Sequence, residues 1–572
     1  MTSLRTAKRF VFPLLGLWVL LYASFSMVRP PLLDGSDALS AEIAREIVAT
    51  QHWMEPTLNG VPIAKEPPLL YWSVAISFEL FGSVSDWAAR VPMALATLVL
   101  FIATFSLGRR LFRSPAAAFY AALALLTSYG IFLFGHLLLR DVFLCLWTTL
   151  AINFFWRSLT QPRHLLASEL GFGACCALGF LSEGFAGIVL PGAIALLYLV
   201  FTRKLRHLLR WQAGAAVLLF LAMVLPWHFA ARSVSAQAEI GALLPSVFGG
   251  RVPLYIFWPL LLLWIVPWCA FSIRGLRIGP SSPNPCCRGE ARLLSVLWIL
   301  VVMVFFSFFA RQEFDVITAL PPMALLAGGW LAEDENLPHH QGRIAAWILF
   351  CFGIAAAGVL AWFLAAAPAP GSGVDIATLL HRSPNHHAVF FGYLLDLTRS
   401  AMGAFKVPLW ITLAALLVGV SAGLWYRLRD NARMANCFLA GMIVAILIAA
   451  HLALNILSPV LSSAILAQAI KPEVRPDDAV IVNGPFANAS SFAFYLGRDV
   501  QILDSHNPRL TTGSPVFVDQ AGLTKLWSSP GRAWLWTTPA TVPALPGSVY
   551  VIGRSGGKEI LSNQPNYGGA SF

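Results

Sequence analysis

Charged side chains are scarce in this chain of 572 residues, because Asp, Glu, Lys and Arg together account for only 12% of it. In ordinary soluble proteins about a quarter of the residues are charged. Hydrophobic residues instead make up 58% of the chain, and the mean hydropathy is +0.70. The composition excludes a soluble globular enzyme. Apolar runs of about 20 residues recur, and they predict a polytopic membrane protein.

Other features that the sequence lacks exclude further classes of protein. Strands of a transmembrane barrel would alternate apolar and polar residues, but runs such as residues 293–309 do not alternate, so the spans are expected to be helical. The net charge is +11, but the basic residues are not clustered as nucleic-acid binding requires. The eight cysteines follow neither a disulfide framework nor a zinc-binding pattern.

Hydropathy windows predict thirteen transmembrane helices, an odd number that places the two termini on opposite sides of the membrane. The windows lie near residues 10–28, 91–108, 115–134, 142–156, 168–181, 184–202, 212–229, 254–272, 293–309, 316–332, 344–366, 407–426 and 436–458. With the N-terminus in the cytoplasm, 20 of the 39 Lys and Arg residues fall on short cytoplasmic connections. The positive-inside rule therefore predicts a cytoplasmic N-terminus and an extracytoplasmic C-terminus. No small-residue cleavage site follows the first window, so it is interpreted as a retained helix.

Three regions are predicted to lie outside this membrane domain of residues 1–460. The first outer loop spans residues 29–90, and a second outer segment spans residues 367–405. His381, His386 and His387 of that segment lack a fixed metal-ligand spacing and are interpreted as solvated polar residues. Residues 472–572 combine alternating apolar runs with Gly, Pro, Asn and Asp, a pattern typical of a small α/β or β-rich domain.

Ionisable residues at the edges of the predicted spans fall on the outer side of the membrane. They are Asp34, Asp37, Arg140, Asp141, Glu183, Arg311, Glu313 and Asp315. Charges at a membrane edge are energetically unfavourable unless they are paired or hydrated. Because four loops carry such charges, we predict that these loops meet at one functional cavity. Taken singly, each is more simply explained by a side chain that reaches out of the interface to water.

The first outer loop is long for a compact membrane protein, which indicates a functional segment. Residues 37–50 have a helical pattern, and Asp37 can cap a helix that begins at Ala38. Helix capping and catalysis are two alternative roles for Asp37, and one side chain can have both. Lys65 and Glu66 then precede two prolines and an aromatic-rich segment that is expected to lie in the membrane interface.

Several motifs of this loop resemble a known family. They are residues 33–38 (LDGSDA), 41–46 (AEIARE), 67–72 (PPLLYW) and 88–92 (AARVP), with Trp53, Asn59 and Gly60 between them. They are similar to the first-loop signature of dolichyl-phosphate-mannose protein mannosyltransferase-like enzymes, and in particular of the bacterial aminoarabinose transferases. Weaker similarity continues through residues 140–141, 181–184, 225–227, 267–268 and 307–326, and reaches residues 494–498 (FYLGR) near the C-terminus.

The resemblance implies a GT-C fold, with about 13 transmembrane helices and a C-terminal α/β extracytoplasmic domain, in a bacterial inner membrane. It also implies an enzyme that transfers a hexosyl or pentosyl group from a polyprenyl-phosphate donor, of the undecaprenyl type, to a lipid, glycan or protein acceptor on the outer face. Nothing in the sequence names the sugar or the acceptor.

Site residues follow from the same resemblance. Asp37 and Asp141 match the catalytic or metal-associated carboxylates of the family, and Asp34 is the substitute for Asp37 if the alignment shifts. Asp37 would be the general base for a hydroxyl acceptor, or would orient a phosphate acceptor or hold a divalent cation together with Asp141. The cations expected to bind the donor phosphate are Lys65, Arg140 and Arg311, and the further cavity candidates are Glu66, Arg90, Glu183, Glu313 and Asp315.

Departures from the family pattern leave other functions open. The family usually has Glu-Lys-Pro-Pro where this chain has Lys65 and Glu66 in the reverse order. Glu183 stands where the family has a lysine, Arg311 replaces another lysine, and Asp315 replaces a tyrosine. These changes allow a non-catalytic paralogue of the same fold. A lipid transporter or flippase is a third possibility, which the lack of paired, broken-helix halves disfavours.

Overall fold

A computed structural model describes residues 2–27, 30–63, 66–230, 251–276, 285–309, 311–335, 341–366, 375–379, 399–503 and 516–565. Side chains are described throughout these ranges except at residues 2–9, 285–288, 341 and 399–400. Lys65 therefore lies outside the described residues, and so do the three histidines and most of the outer segment 367–405.

Helices occupy most of the described chain up to Ile470. They are α1 (Thr2–Trp18, continued by Val19–Ala23 and Ser24–Met27), α2 (Asp37–Thr50), α3 (Leu69–Phe81), α4 (Asp86–Phe112), α5 (Pro115–Leu126), α6 (Tyr129–Gly135), α7 (Arg140–Thr160), α8 (Leu165–Glu183), α9 (Ala186–Phe201), α10 (Trp211–Ala230), α11 (Leu254–Leu263), α12 (Cys269–Gly275), α13 (Pro285–Phe308), α14 (Leu320–Asp334), α15 (Gln341–Ala366), α16 (Lys406–Leu428), α17 (Ala432–Leu461) and α18 (Ala464–Ile470). Short helical segments at Pro162–His164, Leu205–Leu209, Asp315–Ala319, Ile376–Leu379 and Arg399–Ala404 join them.

Every predicted membrane window coincides with helical structure, but the count of thirteen spans is not confirmed. Ten helices in the described ranges are long and apolar enough to cross a membrane, or eleven if α5 and α6 form one bent span. The remaining two windows fall on α9, with 16 residues, and on α11 and α12, with 10 and 7 residues. A helix rises 1.5 Å per residue, so these pieces are short for a crossing of about 30 Å.

The break between α5 and α6 is stabilised by residues from another part of the chain. The two helices meet at an angle of 55°. Trp268 Nε1 donates to Thr127 Oγ1 at 2.9 Å, and the Gly130 amide donates to the Trp264 carbonyl at 3.1 Å. A helix interruption is tolerated at membrane depth only where the protein satisfies the freed polar groups, and these bonds do so.

The centre of the bundle is the span Asp315–Asp334, which includes α14 and is entirely buried within the protein. Gly328 allows α5 to pack closely against it, because a Cβ atom there would lie 2.4 Å from the Ala121 amide nitrogen and 2.5 Å from the Ala117 carbonyl oxygen. Small residues permit such close helix contacts in membrane proteins. The central span thereby fixes the position of Asp315 at its end.

A six-stranded sheet follows the last membrane helix. After a small hairpin in the first loop, β1 (Thr57–Leu58) and β2 (Val61–Pro62), the strands are β3 (Ala479–Asn483), β4 (Gln501–Leu503), β5 (Phe517–Val518), β6 (Ala533–Thr537), β7 (Tyr550–Ser555) and β8 (Lys558–Ser562). Their order is β5-β4-β3-β6-β8-β7, with β5, β4, β3 and β6 parallel and β8 antiparallel to both neighbours. Helices α19 (Ser490–Leu496) and α20 (Gln520–Trp527) connect the parallel strands. This confirms the α/β alternative for the C-terminal domain.

The first loop lies against this sheet domain. The Asn59 side chain exchanges two hydrogen bonds with the backbone of Val500, at 2.7 and 2.8 Å. Tyr495 Oη donates to Asp86 Oδ2 and accepts from the Leu32 amide, both at 2.8 Å. Loop and domain therefore share one side of the membrane, here called the loop face.

Candidate active site

Asp37 is the first residue of α2 and is completely buried. Its Oδ1 accepts a hydrogen bond of 2.8 Å from the Leu138 amide, in the segment that leads into α7. Ser36 holds the capping position of α2 without a side-chain capping bond. The structure thus starts the helix one residue earlier than the capping interpretation required, and the Asp37 carboxylate bonds to a different segment of the protein.

A buried arginine faces the same carboxylate. Arg90 Nη2 lies 3.7 Å from Asp37 Oδ2. The guanidinium also donates to the Pro30 carbonyl at 2.8 Å and to the Pro31 carbonyl at 3.2 Å. Burial raises the pKa of Asp37 to about 6, and the charge of Arg90 and the Leu138 amide oppose this rise. Asp37 therefore changes its charge close to neutral pH, as a general base does.

A cavity opens beside this pair. Asp37 and Arg90 contribute to its wall together with Phe25, Phe132, His136 and His451. Phe25 stacks on His451 with ring centres 4.1 Å apart, and His136 stacks on Tyr22 at 5.2 Å. The wall is therefore largely apolar, and Asp37 and Arg90 are its oppositely charged groups.

A second group surrounds Arg140 at the start of α7. Arg140 Nη1 lies 2.5 Å from Glu66 Oε2, and Arg140 Nε lies 3.5 Å from Glu183 Oε2. The next residue, Asp141, is buried, and its carboxyl group lies close to that of Asp315. Three acids, Glu66, Glu183 and Asp141, thus lie near one guanidinium, where the resemblance implies cations for a phosphate.

The two groups are neighbours, because Asp37 bonds to Leu138 and Asp141 follows three residues later. The structure therefore brings together the first loop, the start of α7, the end of α8 and the start of the central span. The cavity beside Asp37 is lined by neither Asp141 nor Arg311, so one cavity common to all of these residues stays a prediction.

Arg311 and Glu313 lie on the segment that precedes the central span. The Arg311 carbonyl accepts from the Val252 amide at 2.9 Å, and its backbone has a left-handed φ of 58°, which is uncommon for a residue other than glycine. Its Nε is buried without a hydrogen-bond partner among the described residues. Glu313 is buried, and its carbonyl accepts from Trp264 Nε1 at 3.1 Å.

Asp34, the substitute for Asp37, lies in different surroundings. Its Oδ2 is 2.7 Å from Lys558 Nζ, and its Oδ1 accepts from the Ser491 amide at 2.8 Å. Both partners belong to the C-terminal domain, so Asp34 joins the first loop to that domain. Sequence reasoning missed Lys558, because nothing local relates two residues that are 524 positions apart.

One group of three acids in the described part of the chain has the spacing of a metal site. Carboxylate oxygens of Glu42, Glu46 and Asp499 lie within 4.8 Å of one another. Arg45 already pairs with Glu42 at 2.6 Å and lies 3.5 Å from Asp499. The group includes neither Asp37 nor Asp141. Beside Asp37 the charge-balancing group is Arg90, and a metal shared by Asp37 and Asp141 stays a prediction.

Comparisons with known proteins agree with this architecture. A family model described as dolichyl-phosphate-mannose-protein mannosyltransferase matches residues 65–228. The crystal structure of ArnT from Cupriavidus metallidurans in the apo state superposes with a TM-score of 0.75 and 21% sequence identity, over 99% of each chain. The same protein bound to undecaprenyl phosphate gives a TM-score of 0.75 over 97% of each chain. The chain is thus a multi-pass membrane protein with the GT-C fold.

Proteins that are similar in sequence agree with the structural comparison. Undecaprenyl phosphate-alpha-4-amino-4-deoxy-L-arabinose arabinosyl transferase from Aeromonas salmonicida is 28% identical over 364 residues, which are 61% of this chain and 65% of that protein. The transferase of the same name from Pseudomonas aeruginosa is 28% identical over 52% of this chain and 55% of that protein. The match thus spans less than two thirds of these relatives. These findings confirm the resemblance to bacterial GT-C glycosyltransferases of the aminoarabinose transferase type.

Proposed function

We propose that the protein is a membrane glycosyltransferase that moves a sugar from a polyprenyl-phosphate donor to an acceptor at the loop face. The observation that carries this proposal is the buried Asp37–Arg90 pair in the first loop of a GT-C fold. The names of the sequence relatives support an undecaprenyl-phosphate donor. The decisive experiment is a transfer assay on the purified full-length chain with an undecaprenyl-phosphate-linked sugar, compared with the Asp37→Asn variant.

Asp37 is the residue proposed to act on the acceptor. A carboxylate that is ionised above about pH 6 can accept the proton of an acceptor hydroxyl as the new glycosidic bond forms. The pair of electrons of the breaking bond leaves with the polyprenyl phosphate. A single displacement of this kind inverts the anomeric carbon. Arg90 keeps Asp37 charged and in place through its contacts with the loop backbone.

Cations near the second group are proposed to stabilise the departing phosphate. Arg311 is close to Asp315 along the chain, and its guanidinium could bind a phosphate through two parallel hydrogen bonds. Arg140 would contribute only after phosphate displaces Glu66 or Glu183, because these acids now occupy its guanidinium. The preorganised positive charge of such groups is a main source of catalysis in group transfer.

The orientation follows from the charge distribution. We propose that the loop face is extracytoplasmic, because the short basic connections lie on the opposite side. The N-terminus would then be cytoplasmic, and the C-terminal domain would lie in the periplasm of a bacterial inner membrane. The acceptor would be a lipid, glycan or protein of the cell envelope.

A non-catalytic relative of the same fold is the second candidate. The observation that favours it is the crowding of Glu66, Glu183 and Asp141 around Arg140, because nearby carboxylates oppose the binding of phosphate. In that case the purified protein would bind polyprenyl phosphate weakly and show no transfer with any polyprenyl-linked sugar.

The pH dependence of transfer tests the role of Asp37 as a base. The raised pKa of about 6 means that the carboxylate is protonated below this pH and ionised above it. With a hydroxyl acceptor, kcat/KM should therefore rise as the pH increases through about 6 and then level off. A profile that stays flat from about pH 5 to pH 8 would contradict the base mechanism.

Removal of one acid beside Arg140 tests the phosphate site. Glu66→Gln keeps the shape of the side chain but removes its charge, so Arg140 becomes available to an anion. Because the pair is about a third exposed, we expect a gain of roughly fivefold in affinity for undecaprenyl phosphate, equivalent to about 1 kcal/mol. Equilibrium binding in detergent measures the change. Glu79→Gln, at an exposed acid of the same loop, is the matched control, and equal affinities of both variants would exclude Arg140 from the phosphate site.

A further inference from the structure

The turn that leads into Asp37 is held by the C-terminal domain. The carboxylate of Asp34, three residues before Asp37, meets Lys558 Nζ at 2.7 Å and the Ser491 amide at 2.8 Å. Both charged side chains of this ion pair are only 11% exposed. A charge pair that is largely removed from water is screened less than a surface pair, so it restrains the turn more strongly.

Backbone groups of the same turn bond to the same region. The Gly35 amide donates to Ser490 Oγ at 3.1 Å, and the Leu32 amide donates to Tyr495 Oη at 2.8 Å. Gly35 has a φ of 84°, a left-handed conformation that glycine adopts without strain. Asp37 then enters α2 directly after the turn, so the position of the turn determines where its carboxylate lies.

The location of Lys558 is itself fixed by the membrane domain. Lys558 begins β8 directly after the turn at Gly556 and Gly557. A Cβ atom on Gly556 would lie 1.8 Å from the Pro459 carbonyl oxygen, so this turn fits closely against the end of α17. The Gly557 amide also donates to Asp375 Oδ2 at 3.0 Å. The ammonium group is therefore presented to Asp34 from a rigid support.

We infer that Lys558 is a positioning residue of the transfer reaction, because its ion pair with Asp34 holds the turn that places Asp37 beside the acceptor. This inference rests on the proposed function. It gives the C-terminal domain a role in positioning the active site, through the contact of Lys558 with Asp34. A misplacement of about 1 Å in a catalytic group can reduce the rate by about 100-fold.

Steady-state kinetics of the full-length protein test this inference. Lys558→Met should lower kcat by about 10-fold or more, with KM for the undecaprenyl-phosphate-linked sugar unchanged, because the displaced group is the proposed base and not one of the proposed phosphate-binding cations. Lys558→Arg should restore most of kcat, since it restores the charge. Lys525→Met is the matched control: Lys525 lies on helix α20 of the same domain with an exposed side chain, and its loss should leave both constants unchanged. An unaltered kcat in Lys558→Met would overturn the inference.

Hydrogen–deuterium exchange separates this inference from the proposed function. In Lys558→Met, and in Asp34→Asn, amides of residues 32–40 should exchange faster than in Lys525→Met, while the rest of the first loop stays protected. Unchanged exchange in both variants would overturn the positioning role even if transfer is observed. Faster local exchange in a protein that shows no transfer would support the structural role of the ion pair and refute the proposed function instead.

Discussion

Asp37→Asn is expected to reduce sugar transfer by about 100-fold or more, the usual scale for the loss of a general base. The amide oxygen of Asn can still accept the bond from Leu138, and Arg90 keeps its two proline carbonyls. Burial already favours the uncharged form of this side chain. Arg90 loses its counter-charge, so the variant should be less stable, but it should still fold and insert, and the loss of kcat should come from the missing base.

The measurement is kcat in a purified transfer assay, with folding followed by monodispersity and thermal unfolding in detergent. Glu79→Gln removes an exposed charge from the same loop and should keep full activity. Full activity of Asp37→Asn would remove Asp37 from the mechanism. A reduced rate that added divalent metal restores would favour metal binding or orientation over base catalysis.

Arg90→Met is expected to have the largest effect on stability. The Arg90 side chain is 4% exposed and that of Asp37 is fully buried, so the substitution leaves a buried carboxylate without its counter-charge. Loss of one partner of a buried ion pair typically costs about 3–5 kcal/mol. The carbonyls of Pro30 and Pro31 also lose their donor. Transfer should fall as well, because an uncompensated Asp37 becomes protonated at higher pH.

Equilibrium unfolding in a mixed-detergent titration measures this loss. Arg433→Met, at a side chain that is 81% exposed and pairs with Glu335, should cost less than about 1 kcal/mol. The double variant Asp37→Asn with Arg90→Met should be more stable than the sum of the single losses predicts, since neither charge is then left alone. Strict additivity of the two losses would show that Arg90 and Asp37 do not interact.

Much of the architecture could be predicted from the sequence by itself. Long apolar runs can satisfy their backbone only as helices within a membrane, so the helical windows and the membrane class followed from composition. The alternating runs after Pro472 predicted the sheet domain for a similarly local reason. The motifs of the first loop indicated the GT-C fold and singled out Asp37, and the same resemblance singled out Asp141 as the acid before the fourth predicted span.

Only the tertiary structure decided how the charged residues pair. The sequence offered Asp34 as a substitute for Asp37 and Arg140 as a phosphate-binding cation. In the fold, Asp34 binds Lys558 and Arg140 binds Glu66 and Glu183. Partners of this kind come from segments far apart along the chain, and no local periodicity relates them. Charges at a membrane edge are stable only when paired or hydrated, so the packing that selects each partner also determines which carboxylate remains available for catalysis.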